Sequence, residues 1–341
     1  MNADDEVARR KSDHIKVVIG GAGAAHGMTT GFETLQFEHC ALPECNLDEI
    51  DVSVAFLGRR LHAPLLISSM TGGPERAAAI NRHLAEAAEA HQIAFAVGSQ
   101  RIAIEGGPCN GIGKAIRAAA PSIPIYANFG AAPLALGYGR DEAMRALEMI
   151  AGDALIIHLN PLQEAVQNRG DHDWSFVLRG IEAVVRAIDV PVIVKEVGFG
   201  ISAPAALKLE ACGVAAVDVA GAGGTNWALV EGGRASSAAD RAIAGAFAGW
   251  GLPTARAIAD VRAACPDLPL IGSGGVKSGV DVAKAIRLGA DVVGQAAGLL
   301  EAALVSTDAV HDALRISCFC TGSRDLAALR RAPLVKCQTF F

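Results

Sequence analysis

Four short stretches carry residue types at spacings that can do chemistry. In His158-x-Asn160-x-x-Gln163-Glu164 one carboxylate stands among neutral hydrogen-bonding groups. That mixture suits Mg²⁺, which keeps several waters and shares phosphate oxygens; zinc would draw more His or Cys. GSGG (272–275) and QAAG (295–298) are turns of small residues, each feeding a helical stretch. Small residues let backbone N–H groups approach an anion, and a helix N-terminus adds a favourable dipole. Lys195 lies inside the apolar run PVIVKEVG (191–198), where an unpaired cation is costly. Glu196 is not its expected partner, because neighbouring strand residues point to opposite sides. A lysine there can neutralise an electron-rich cofactor ring. A phosphate cradle facing a lysine fits a flat phosphorylated cofactor, best FMN. NAD would want a GxGxxG turn between strand and helix with a later acidic partner, and the chain has none.

Each feature also has an ordinary reading. A single glycine cluster is more often a turn, His158 alone is as often an interior histidine, and Asn128 can cap a loop. Their shared position shifts the balance. Eight apolar, β-rich runs recur: 65–70, 94–99, 123–130, 154–160, 191–198, 214–221, 269–276 and 291–298. Apolar throughout, they read as parallel strands buried on both faces. Ala-rich stretches with helical spacing separate them, at 75–92, 140–151, 175–189, 202–212 and 278–289. Strand starts are mostly roughly 22 to 37 residues apart, as a βα repeat requires. One wider gap, 222–253, is a Gly- and Ala-rich insertion.

The expected fold class is α/β, a (β/α)₈ TIM barrel with an N-terminal extension; an open doubly wound sheet is the runner-up. Residues 1–64 are expected to form the extension, covering the barrel mouth, and 65–341 the FMN-binding barrel. The tail after 315 reads as a further helix and its cap. Active sites of such barrels lie at the C-terminal strand ends. The unusual polar residues fall there: Ser69 to Gly73, Gly98 to Arg101, Asn128, His158 to Glu164, Lys195, and Gly221 to Trp227.

The formal net charge of −6 gives no general attraction to nucleic acid or anionic membranes, so an anionic ligand needs a local basic site. The eight scattered cysteines, without a CxxC pair, read as reduced thiols of a cytoplasmic protein. The acidic start MNADDE is not expected to be a signal peptide, and no apolar stretch is long enough to span a bilayer.

The runs RKSDH (10–14), SSMTGG (68–73), GSQR (98–101), HLNPLQE (158–164), VKEVGFG (194–200), GAGGTNW (221–227) with Glu231, GSGGVKSG (272–279) and FCTGSRDL (319–326) together make a specific set. On them the chain resembles the type 2 isopentenyl-diphosphate isomerases, FMN-dependent enzymes that interconvert isopentenyl and dimethylallyl diphosphate. The resemblance covers essentially the whole chain and implies a role in isoprenoid biosynthesis. It implies FMN held by Met70, Thr71, Gly72, Ser99, Asn128, Lys195 and Thr225, and by the turns Gly272-Ser273-Gly274 and Ala296-Ala297. The substrate diphosphate would meet Arg10, Lys11, Ser99, Arg101 and Gln163. Glu164 would hold Mg²⁺. Gln163, Trp227, Glu231, His158 and Asn160 are the implied catalytic group. Reduced FMN would be the active form, with NADPH as reductant, in a homotetramer or homo-octamer. Ala220 departs from the family pattern, where a hydroxyl residue is expected.

The chemistry is coherent. Moving a double bond adds a proton at one carbon and removes one at another, so an electron-rich reduced ring can assist without net redox change. The rivals are an FMN-dependent 2-hydroxy-acid oxidase and a non-catalytic flavin- or phosphate-binding barrel. The oxidase would want an Arg and a His near the late strands, yet no His occurs between 173 and 310. A dehydrogenase of the inosinate class would need a cysteine within 222–253, which has none.

Overall fold

The computed structural model describes residues 13–14, 17, 20, 23–25, 27–70, 75–299 and 303–336. Eight parallel strands close into a barrel. They are β1 Leu65–Ile67, β2 Ala94–Ala96, β3 Ile125–Gly130, β4 Ala154–His158, β5 Val192–Lys195, β6 Ala216–Asp218, β7 Leu270–Ser273 and β8 Val292–Gln295, with β8 hydrogen-bonded back to β1. The principal helices of the outer layer are α1 Glu75–His91, α2 Lys114–Ala119, α3 Arg140–Ile150, α4 Val177–Ala187, α5 Ala203–Ala211, α6 Thr254–Ala264, α7 Gly279–Leu288 and α8 Ala303–Phe319. The chain is a (β/α)₈ TIM barrel.

The strands read as continuously apolar because alternate residues feed two different cores. Ile67, Phe95, Ile157, Val194, Val217 and Val293 pack outward in a cluster shared with the helices. Leu66, Ala96, Tyr126, Ile156, Ile193, Ala216, Ile271 and Val292 form a separate inner cluster. Both sets are removed from water, so period-2 patterning disappears from the sequence. Helix starts are specified locally. Ser278 accepts the Asp281 amide while Asp281 returns the bond to Ser278, a capping box for α7. Ser202 caps α5, with a proline in its first turn.

A hairpin of Val54–Phe56 and Arg59–Leu61 sends Phe56 and Leu61 into the inner cluster, beside the N-terminal ends of the barrel strands. It stoppers the floor. At the other end Ala24 bridges Thr225, Ala25 donates to Gly224 O and Asn226 donates to Gly23 O. The strand Leu35–Phe37 pairs antiparallel with Leu334–Lys336. The insertion 222–253 is largely helical: Trp227–Arg234 and Ala238–Ala246 pack on each other and on the short helix Pro161–Val166. That packing brings the loops after β4 and β6 together. Among the described residues, no helix is long and apolar enough to cross a membrane.

Candidate active site

Strand register decides which polar residues meet. Gly130, His158, Lys195 and Asp218 are successive Cα partners across β3, β4, β5 and β6. They continue the inward-facing parity of Tyr126, Ile156, Ile193 and Ala216 and so form one row at the C-terminal rim. Gly130 leaves room for its neighbour: a Cβ there would come within 3.0 Å of His158 Nε2.

His158 Nδ1 lies 2.8 Å from Asn128 Oδ1, while Asn128 Nδ2 donates to Val97 O. A carbonyl can only accept, so the amide must turn its NH₂ toward Val97 and its oxygen toward the ring. Nδ1 therefore carries the proton, and in the neutral imidazole Nε2 is the acceptor. Asn128 sits inside β3 rather than at its end, and it is locked from behind. The fully buried Gln100 accepts its backbone N–H at 2.9 Å and donates to Ala146 O.

Lys195 is not an unpaired cation. Its Nζ donates to the backbone carbonyl of Glu196, and it lies in register with Asp218 on the adjacent strand, whose ionised form its charge favours. Asp218 is fully buried; its Oδ1 accepts from Ser273 Oγ at 2.6 Å and from Ala220 N at 3.2 Å. Glu196, just past β5, is committed to the following turn, although the Lys195 charge favours its ionised form too. Its Oε2 accepts from the backbone N–H groups of Val197, Gly198, Phe199 and Gly200. Burial pushes that carboxyl up to about 7, and these amides pull against it.

Ala220, where a hydroxyl was expected, adopts a left-handed φ of 37° and is buried. Its N–H to Asp218 and its carbonyl, accepting from Gly200 N, hold the turn through the backbone.

The glycine-rich turns prove to be in contact with one another. Gly274, at φ +109°, would place a Cβ 2.1 Å from Gly221 O, and Gly223, at φ +114°, one 2.3 Å from Thr30 N. These glycines are thus required by loop-on-loop packing, a constraint separate from anion binding. Gly272 and Ser273 are buried, Ala296 is half-buried and Ala297 is exposed at the start of a 3-10 turn. Met70 and Ser99 are half-buried after β1 and β2, and Thr225 holds the bridge to Ala24. Arg10, Lys11, Thr71 and Gly72 lie outside the described residues.

The second polar group joins the insertion to the β4 loop. Asn160, N-cap of the helix Pro161–Val166, donates to Glu164 Oε1 at 2.8 Å and to Gln163 Oε1 at 3.2 Å. Gln163 donates in turn to Glu231 Oε1 at 2.9 Å. His14 Nε2 lies 2.8 Å from the same oxygen, and Arg234 donates to Oε2 at 2.7 Å. Trp227 meets the His14 ring edge-on, with centroids 5.2 Å apart. Burial alone would raise the Glu231 pKa, but His14, Gln163 and Arg234 outweigh it and hold the carboxyl at about 2. A continuous hydrogen-bonded chain thus runs from Glu164 through Asn160 and Gln163 to Glu231 and His14.

Glu164 is also bonded on Oε2, by Asp171 N at 2.9 Å and Gln167 Nε2 at 3.3 Å. No cluster of three or more His, Cys, Asp or Glu with metal-site geometry occurs among the described residues. One carboxylate completed by water and phosphate oxygens is the arrangement Mg²⁺ accepts. Arg101 is anchored by Asp171 and by Glu105, the latter at 2.9 Å. Burial lowers its pKa, but these carboxylates outweigh that and raise it, so the guanidinium is held charged and aimed.

The rim fits a flavin. Ser68 Oγ, Ser69 Oγ and Asp218 Oδ2 are buried without a hydrogen-bond partner among the described residues, and such atoms need one. A polar ring with hydroxyl-bearing side arm supplies donors and acceptors of that kind. Asp218, His14 and Arg234 were not singled out in the sequence. Asp218 has only its standing as the one charge in the apolar run 214–221 as a signal, whereas His14 closes the RKSDH run.

The family model for FMN-dependent dehydrogenases matches residues 151–317. The isopentenyl-diphosphate delta-isomerase of Xanthobacter autotrophicus is 60% identical over 333 residues, covering 96% of this chain and 97% of that protein. That of Stutzerimonas stutzeri is 60% identical over 334 residues, covering 96% of each. That of Synechocystis is 48% identical over 337, covering 97% and 96%. Solved structures with the same fold include a flavocytochrome b2 variant with sulfite bound, at TM-score 0.69 and 17% identity over 94% of this chain and 82% of that one. A mandelate oxidase mutant with a monooxide FMN adduct gives TM-score 0.64 and 16% identity over 98% and 100%. At such identity these two share the fold alone.

Proposed function

Since the chain belongs to the isopentenyl-diphosphate delta-isomerase family, we propose that it interconverts isopentenyl and dimethylallyl diphosphate with bound FMN, as a flavoprotein isomerase of isoprenoid biosynthesis. The observation that carries the reading is the chain of amides linking Glu164 to Glu231 beside the Lys195 rim. It supplies polar groups at two separated points, which a proton shift between two carbons of one substrate requires.

Met70, Thr71, Gly72, Ser99, Asn128, Lys195 and Thr225, with the 272–274 and 296–297 turns, are the residues that would hold FMN. When reduced, it supplies an electron-rich ring that can exchange protons and stabilise a developing cation. Arg101, held by two carboxylates, binds the diphosphate with Arg10, Lys11 and Ser99. Glu164 supplies the carboxylate of a Mg²⁺ site whose other ligands are water and substrate oxygens. Gln163 has its oxygen committed to Asn160 and its NH₂ to Glu231. It is therefore held rigidly, as a group that orients the bound substrate must be. Glu231, kept anionic, holds Gln163, His14 and Arg234 in place. His158 and Asn160 orient the diphosphate end, and Trp227 with His14 walls off solvent. A reduced pyridine nucleotide, NADPH, is the proposed source of electrons for the flavin. A cytoplasmic homotetramer or homo-octamer is proposed on family resemblance.

The test is anaerobic incubation with isopentenyl diphosphate, FMN, NADPH and Mg²⁺. Dimethylallyl diphosphate is expected only with reduced flavin. A protein that binds flavin and stays inert under these conditions would sink the reading.

A further inference from the structure

Asp218 is a rim group to which the reading above gives no part in the reaction. It is fully buried, lies beside Lys195 in strand register, and is fixed by Ser273 and Ala220 through a single oxygen. A buried carboxylate held this firmly next to the lysine of a flavin site is not needed for packing. An amide would accept the same two hydrogen bonds without the cost of burying a charge.

We propose that Asp218 is a positioning residue that offsets part of the charge Lys195 presents to the wall behind the flavin. Burial pushes the Asp218 carboxyl upward and Lys195 pulls it back, so its ionised state depends on the lysine. A bare ammonium beside the ring would stabilise an anionic reduced form and draw a proton from it. A reaction without net redox change uses the ring's protons rather than its electrons, and a compensated lysine leaves those protons in place. The inference rests on the flavin reading above and adds to it the reason for a carboxylate at this position.

Asp218→Asn keeps both acceptor contacts and removes the charge, with an NH₂ in place of the second oxygen in both lysine backgrounds. The FMN-loaded wild type, Asp218→Asn, Lys195→Gln and the double variant are titrated anaerobically for the flavin midpoint potential. Without the Asp218 charge beside Lys195, the single Asp218 variant is expected to favour reduced over oxidised FMN about tenfold, a rise of roughly 30 mV for a two-electron couple. In the Lys195→Gln background the buried carboxyl takes up a proton, so the same change should leave the potential nearly where it was. Equal shifts in both backgrounds would mean that Asp218 acts independently of the lysine and would overturn the proposal. So would an unchanged potential in the single variant. A wild type that takes up no FMN would instead overturn the flavin reading, and this proposal with it.

Discussion

Glu231→Gln removes the charge on which His14, Gln163 and Arg234 converge. Burial would raise this carboxyl, yet its partners hold it at about 2 against an ordinary value of 4.5. That gap of roughly 2.5 units corresponds to about 3.4 kcal/mol of stability at pH 7. The folded value is the lower one, so the contribution is complete above 4.5 and is lost as pH falls through about 2. At pH 3 roughly 1.4 kcal/mol should remain. For 341 residues, at about 2.1 cal/mol/K of unfolding entropy each, the full contribution corresponds to ~5 °C in Tm. Melting curves of both proteins at pH 7 and pH 3 are the assay. The variant should melt about 5 °C below wild type at pH 7, with the gap narrowing to about 2 °C at pH 3. A variant within ~1 °C of wild type at pH 7, or a gap indifferent to pH, refutes the reasoning.

Glu164→Gln should raise the Mg²⁺ concentration for half activity about tenfold or more while FMN binding stays as it was; an unchanged Mg²⁺ response removes the assignment. Arg101→Ala should raise the KM for the diphosphate by roughly 10- to 100-fold, the range of a charge-assisted hydrogen bond, with kcat much less affected. Steady-state kinetics showing the loss in kcat instead would place Arg101 elsewhere in the reaction. Gly274→Ala meets both a forbidden φ and the Gly221 carbonyl, so urea unfolding should show a loss of about 3 kcal/mol. The control is Gly245→Ala in the helix Ala238–Ala246, where a Cβ meets nothing within 4 Å. There a gain of about 0.5–1 kcal/mol is expected.

The barrel was legible because strands buried on two faces have no polar positions until they emerge at the rim. Residues such as His158 and Lys195 therefore stand out from runs of Ile and Val. The partner of Lys195 was not legible. Asp218 meets it only through a register that links positions 23 residues apart in sequence; the alternation of strand side chains set Glu196 aside but named no other partner. The His14 contact with Glu231 spans 217 residues and no local pattern announces it. The glycines of 221–224 and 272–275 were visible as a cluster, but one pattern served two causes. Small residues suit an approaching anion, and they also suit two backbones packed against each other. The three-residue strands at 35–37 and 334–336 are too short to carry a period, so their pairing appears only in three dimensions.

Phe56 and Leu61, lodged in the inner cluster, give the barrel a blind floor. Traffic must then use the rim, and a deep passenger cannot leave past a shallow one. A cofactor seated on the Lys195 wall would board first and disembark last. Substrate and product would trade places over it through many turnovers, and an excess of either isomer would retain the flavin rather than displace it.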